Sequence, residues 1–223
     1  MNAAPKASPV VTVGTAAGGG AVLDVTGVTG GANFNATTSS FALASGQKLQ
    51  GFGTVNGSAA VAAGTTLAPG TSIGTLAVTN GTLSWLPGGT LAYEHDVNTT
   101  SPAPTTAADF IDGSASGVLN LANLGTGAAQ QFNLQLLPVF NGTGSTTPVQ
   151  YTIGTFTGIT LPAGVTGPDV TSLFAVSGAF RSTPVVSTNG TSLFVTFTPV
   201  PEPGLVLLAC GIAAGGWTWR RRK

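Results

Sequence analysis

Glycine-opened turns recur along this chain too closely for any fold built of long elements. Gly64-Thr65-Thr66-Leu67, Gly74-Thr75-Leu76, Gly81-Thr82-Leu83 and Gly89-Thr90-Leu91 repeat one phrase at spacings of 10, 7 and 8 residues. Glycine accepts positive φ and so opens a turn, and the leucine two or three residues on points inward as the next strand starts. Seven or eight residues leave no room for a hairpin of two ordinary strands, but they suit a chain that turns after every strand and coils. Three steps carry the chain from Gly64 to Gly89, 25 residues, about one coil of a three-sided β-helix.

The remainder of the body has the same texture. Val10-Val11-Thr12-Val13 and Ala21 to Val25 are short β-branched runs set apart by Gly18-Gly19-Gly20 and Gly30-Gly31, with no helical period between them. Further strands are predicted around Val118, Leu119 and Leu121, around Phe132, Leu134 and Leu136, around Tyr151, Ile153 and Phe156, and along Leu193, Val195 and Phe197. Phe110-Ile111 reads as a separate strand running into a turn at Asp112-Gly113. The polar stretch Asn98 to Thr106, with Pro102 and Pro104, is expected to interrupt the coil. Residues 1–199 are thus expected to form an all-β body whose solenoid signal is clearest over 43–93.

Charge narrows the function. Charged residues make up 6% of the chain, against about 25% in ordinary soluble domains. Before Val200, Lys6, Lys48 and Arg181 face Asp24, Glu94, Asp96, Asp109, Asp112 and Asp169, a net charge of −3. No basic patch exists there to meet phosphates, so nucleic-acid binding has no electrostatic basis. His95, the sole histidine, stands between Glu94 and Asp96, and strand alternation puts it on the opposite side from both. That geometry opposes a local acid-base couple, and exposed polar residues at a strand end are the expectation. Glu94, Asp96, Asp109 and Asp112 gathered together would make a calcium site or a glycosidase pair, but turn and surface carboxylates are the default. No metal, cofactor or catalytic residue is assigned. Six Asn-x-Ser/Thr sequons, at Asn35, Asn56, Asn80, Asn98, Asn141 and Asn189, mostly coincide with Asn-Gly turns, which explains them without glycosylation.

The chain end is different in kind. After Val200-Pro201-Glu202-Pro203 come sixteen uncharged residues, Gly204 to Trp219, and then Arg220-Arg221-Arg222-Lys223. Apolar side chains favour the bilayer and a basic cluster favours its cytoplasmic side, so residues 204–219 are expected to form a transmembrane helix. At about 1.5 Å per residue it reaches about 24 Å, short of the roughly 30 Å hydrocarbon core. Trp217 and Trp219 suit the interface, and the arginine stems extend the reach by snorkelling. Cys210, the single cysteine, falls within this segment, which excludes an intrachain disulfide. Met1 to Lys6 and the residues after them carry no apolar run of secretory type, so an export signal is expected from an upstream start or a longer chain.

Residues 200–223 closely resemble the PEP-CTERM sorting domain of biofilm-forming and related Gram-negative bacteria. The resemblance implies recognition by an exosortase, a membrane-embedded processing enzyme, and delivery to the cell surface or extracellular matrix. Pro201, Glu202 and Pro203 match its recognition motif, residues 204–219 its helix, and Arg220, Arg221, Arg222 and Lys223 its basic stop. A second likeness lies in the body. Leu49-Gln50-Gly51-Phe52-Gly53-Thr54-Val55-Asn56-Gly57 and the Gly-Thr-Leu phrases after it resemble the autotransporter-associated β-strand repeat, which implies a right-handed parallel β-helix used as a stalk. No translocating barrel follows, so the self-transport of that family is not carried over. The expected protein is a non-enzymatic exported surface or matrix protein with a structural or adhesive β-solenoid. One alternative is a carbohydrate-binding module for exopolysaccharide, with Phe52, Trp85 and Tyr93 as the candidate exposed aromatics and a core position as the rival assignment for Trp85. The other is a β-helix enzyme that degrades polysaccharide, for which Lys6, Lys48 and Arg181 are the only cations upstream of the tail.

Overall fold

A computed structural model of the chain describes residues 9–15, 20–139 and 144–200. The first pass of the chain lays down β1 (Val10–Thr12), β2 (Val22–Asp24), β3 (Phe34–Asn35) and β4 (Ser40–Ala42). The second has β5 (Lys48–Gly51), β6 (Thr54–Asn56) and β7 (Ala59–Val61), and the third β8 (Thr66–Pro69), β9 (Thr75–Thr79) and β10 (Gly81–Trp85). The fourth pass, β11 (Thr90–His95) and β12 (Phe110–Asn120), and the fifth, β13 (Phe132–Pro138) and β14 (Val149–Thr160), use longer strands. After them come β15 (Phe174–Gly178), β16 (Val185–Thr188) and β17 (Ser192–Phe197).

The first strand of each pass pairs in parallel with the first strand of the next, giving one sheet in the order β1-β5-β8-β11-β13-β15. The other strands form a curled second sheet with two stacks, β2-β6-β9-β12 and β4-β7-β10-β12-β14. The chain therefore winds, and each wind rests on the one before. Thr66 lies beside Thr90, so the best-marked wind is 90 − 66 = 24 residues, against the 25 expected from the glycine spacing.

Each Gly-Thr-Leu phrase opens a strand, β8 to β11 in turn, and its leucine faces inward: Leu67, Leu76, Leu83 and Leu91 are all buried. Register aligns the interior into rows. Val11, Leu49, Leu67, Leu91, Leu134 and Val176 stand next to one another along the first sheet. Phe41, Ala59, Leu83, Leu119 and Ile159 do so along the second stack. Burying each leucine fully contributes about 1.5–3 kcal/mol, and this apolar interior holds the winds together.

Three sequence expectations need correction. Gly64 has the positive φ expected of a turn glycine, +74°, but Gly74, Gly81 and Gly89 do not. They are glycines because neighbours pass too close: a Cβ on Gly81 would run into the carbonyl of Gly57 and one on Gly89 into that of Val61, both in the wind below, while one on Gly74 would strike the Phe52 ring. Second, Phe110-Ile111 and Val118 to Leu119 belong to one strand, β12, which bends between Gly113 and Val118 and so serves both stacks. Third, the 98–106 loop does not interrupt the winding, since β11 continues into register with β13 across six residues. It is a lateral excursion that ends in a 3₁₀ turn, Thr105–Ala107.

Among the described residues no helix is long and apolar enough to cross a membrane. The helix expected over 204–219 lies outside them, as do Pro201, Glu202, Pro203 and the basic cluster Arg220, Arg221, Arg222 and Lys223. At the late end the winding closes with a change of direction. β17 pairs antiparallel with β14, and β16 antiparallel with β17.

Candidate functional site

Trp85 and Tyr93 are core residues, which removes them as an exposed aromatic row. Both have no exposed surface. The Trp85 indole stacks on Phe132 with centroids 4.5 Å apart and planes within 6°, and Phe174 meets it edge-on at 6.1 Å. Tyr93 follows Leu91 in the inward alternation of β11, and its hydroxyl donates to the Thr152 carbonyl at 3.2 Å. Aromatic rings fill this part of the interior.

His95 shares that interior, contrary to the exposed strand end expected. The alternation was right, since His95 points away from Glu94 and Asp96, but its side is the inside. The imidazole is fully buried, edge-on to Tyr151 at 5.4 Å and to Phe197 at 5.0 Å, and neither ring nitrogen has a hydrogen-bond partner. Burial pushes it down to about 4, against weaker opposing effects from the Tyr93 backbone and Asp96.

The carboxylates do not gather. Asp24, Asp96, Asp112 and Asp169 each accept the backbone N–H two residues on, from Thr26, Asn98, Ser114 and Thr171, at 2.8–3.0 Å. These are Asx turns, in which the side chain mimics a backbone turn. The hydroxyls of Thr26 and Thr171, and after them these backbone bonds, lower the carboxyls of Asp24 and Asp169 below their ordinary value. The described sequon asparagines Asn35 and Asn189 act alike, each accepting from the backbone two and three residues on. Asp109 is the exception. It is 1% exposed, and its two oxygens accept from Gly74 N–H and Glu94 N–H, both at 3.0 Å, tying the third pass to the fourth. Burial pushes its carboxyl up to about 8, although both hydrogen bonds favour the ionised form. Among the described residues no three of His, Cys, Asp and Glu are placed to hold a metal ion.

Phe52, the third aromatic candidate, lies elsewhere. It sits in the corner between β5 and β6, after Gly51 at φ +124°, and is half-buried on the outer surface. With Ile73, Thr54, Thr75 and the loop residues Thr105 and Thr106 it lines an open groove of about 410 Å³, within the size range of small-ligand sites. The ring lies against Gly74, where a Cβ would meet its edge atoms. Among the described residues no charged side chain lines the groove. Of the groove residues only Phe52 was singled out from sequence. Gly74-Thr75 was visible as a strand start, but nothing local to 105–106 shows that the lateral loop returns beside it.

The chain matches no family model, no curated protein and no solved structure.

Proposed function

We propose that this is an exported, non-enzymatic surface or matrix protein, a right-handed parallel β-helix that serves as spacer or adhesive body, delivered by a C-terminal sorting segment. In this reading an exosortase recognises Pro201, Glu202 and Pro203, residues 204–219 enter the membrane, and Arg220 to Lys223 stay on the cytoplasmic side. The observation that carries it is the junction. Thr198 and Pro199 are still buried, and the Thr198 N–H donates to Ser182 Oγ while its carbonyl accepts from Arg181 N–H, both at 2.8 Å. Folded structure thus runs to within two residues of the motif, whose two prolines are residues of a type that disfavours helix. A folded body that ends beside the recognition motif suits cleavage by a membrane-bound enzyme. The described carboxylates support a structural body over an enzyme, because four of the six cap their own turns.

Mass spectrometry of the protein recovered from its own cells tests the reading. The C-terminal peptide is expected to end near Pro203, with or without an attached group. A mature chain that still carries Trp219 to Lys223 would make the segment a permanent anchor and remove the processing step.

A further inference from the structure

We propose that the groove beside Phe52 is a binding site for a neutral saccharide, with a pyranose ring stacked on Phe52 and its hydroxyls bonded by the surrounding threonines. Three observations converge on that ligand class. The first is the presentation of the ring. Gly51 and Gly53 turn the chain so that Phe52 faces out, while a Cβ at Gly53 would strike the Ala21 carbonyl and the Val13 side chain. Gly74 supplies a flat backbone seat for the ring, so an apolar surface is held at the rim of a groove instead of in the core.

The second is the state of the hydroxyls. Thr54, Thr75, Thr105 and Thr106 line the groove, and none of these four side chains has a hydrogen-bond partner among the described residues. Other threonine hydroxyls, such as those of Thr26, Thr65, Thr157, Thr171 and Thr188, close bonds to a neighbour, whereas here four open ones gather around a single aromatic ring. Free hydroxyls around an aromatic ring offer paired donors and acceptors at the edge of an apolar platform. A sugar presents the complement, an apolar C–H face bordered by hydroxyls.

The third is charge. Among the described residues none that lines the groove is charged: Asp109 is buried behind Gly74 with both oxygens occupied by backbone N–H groups, and Asp112, in register with the lining residue Ala77, accepts from the Ser114 N–H and hydroxyl of its own turn. An anionic polysaccharide finds no counter-charge among the described lining residues, and the half-buried carboxylate beside the groove is already engaged in its own turn. The groove is open along one side, so an internal stretch of a long glycan can lie in it and no chain end is required.

The proposal rests on the surface reading only for where the glycan is met. Tail processing is measured independently, so a protein that is sorted but does not bind, or binds but is not processed, separates the two. The test is affinity electrophoresis of the full chain in gels that hold a neutral β-glucan, a neutral α-glucan, a neutral galactan or anionic polygalacturonate, one per gel. Retardation in at least one neutral gel is expected. Phe52→Ala should weaken it about tenfold, the scale of an aromatic stacking contact, while Phe52→Tyr retains it. Thr75→Val, an exposed and nearly isosteric change, should weaken it as well, and it stands as the decisive variant if Phe52→Ala unfolds. Migration unaltered in all three neutral gels, retardation confined to polygalacturonate, or full retardation of folded Phe52→Ala or Thr75→Val would each overturn the assignment.

Discussion

Asp109 and His95 are buried ionisable side chains whose effects on stability run in opposite directions with pH. Asp109 is raised from 3.8 to about 8, so the folded state holds its proton more tightly than the unfolded chain, and stability falls as pH rises from about 4 to about 8. His95 is lowered from 6.5 to about 4, so its contribution is complete above 6.5 and is lost as pH falls toward 4. Each proton imposes a slope of about 1.4 kcal/mol per pH unit, so the two nearly cancel between about 4 and 6.5 and a decline remains from there to 8. Urea unfolding at a series of pH values should show that plateau and decline. Asp109→Asn should remove the decline and uncover a rise between 4 and 6.5, and His95→Phe should extend the decline down to about 4. Retention of the wild-type profile in Asp109→Asn would show that another group titrates. Sequence alternation read which way His95 points relative to Glu94 and Asp96. Which side was inside depends on the sheets that close around it, and no local pattern carries that.

At the scale of the element, the glycines of the repeat divide into those that turn and those that make room. Gly81→Ala places a methyl against the Gly57 backbone, and overpacking of this kind costs about 1–3 kcal/mol. Gly158, also in a strand, has nothing within 4 Å of a Cβ and no positive φ, so Gly158→Ala should be neutral or slightly stabilising. Thermal melts of the two variants side by side check the distinction, and equal melting temperatures would sink it. The Gly-Thr-Leu phrases made the starts of β8 to β11 legible because those winds are short and each strand ends in its own turn. β14 was legible from the alternation of Tyr151 and Ile153, but β12 was not legible as a single bent strand. Its bend falls at a register shift between Gly113 and Val118, where Asp112-Gly113 has the composition of a turn while the ladder to β14 resumes beyond it. Phe52 was legible as an aromatic on a Gly-rich corner, but the groove beside it was not, since its far side comes from a loop some fifty residues along.

Taken whole, the body differs at its two ends. The course that β9 and β10 share in the third pass is run by β12, and then by β14, as a single strand. The interior changes along the winds, from Val13, Val25, Phe41 and Leu49 in the first two passes to Trp85, Phe132, Tyr151 and Phe197 later. The early edge is the less protected: Val10 and Val11 are half-buried and Val22 is 60% exposed. Limited thermolysin digestion should therefore cut first on the N-terminal side of Lys48 and leave a resistant C-terminal fragment. First cuts within 149–197 would contradict this gradient. The late end, in contrast, finishes with β17 seated between β14 and β16 and bonded to both, then passes Thr198 through two further hydrogen bonds. A tether leaving at Val200 would transmit its pull into a strand bonded on both sides, where many bonds share the load, and the winds laid down first would lie at the far end of the stack from the point of attachment.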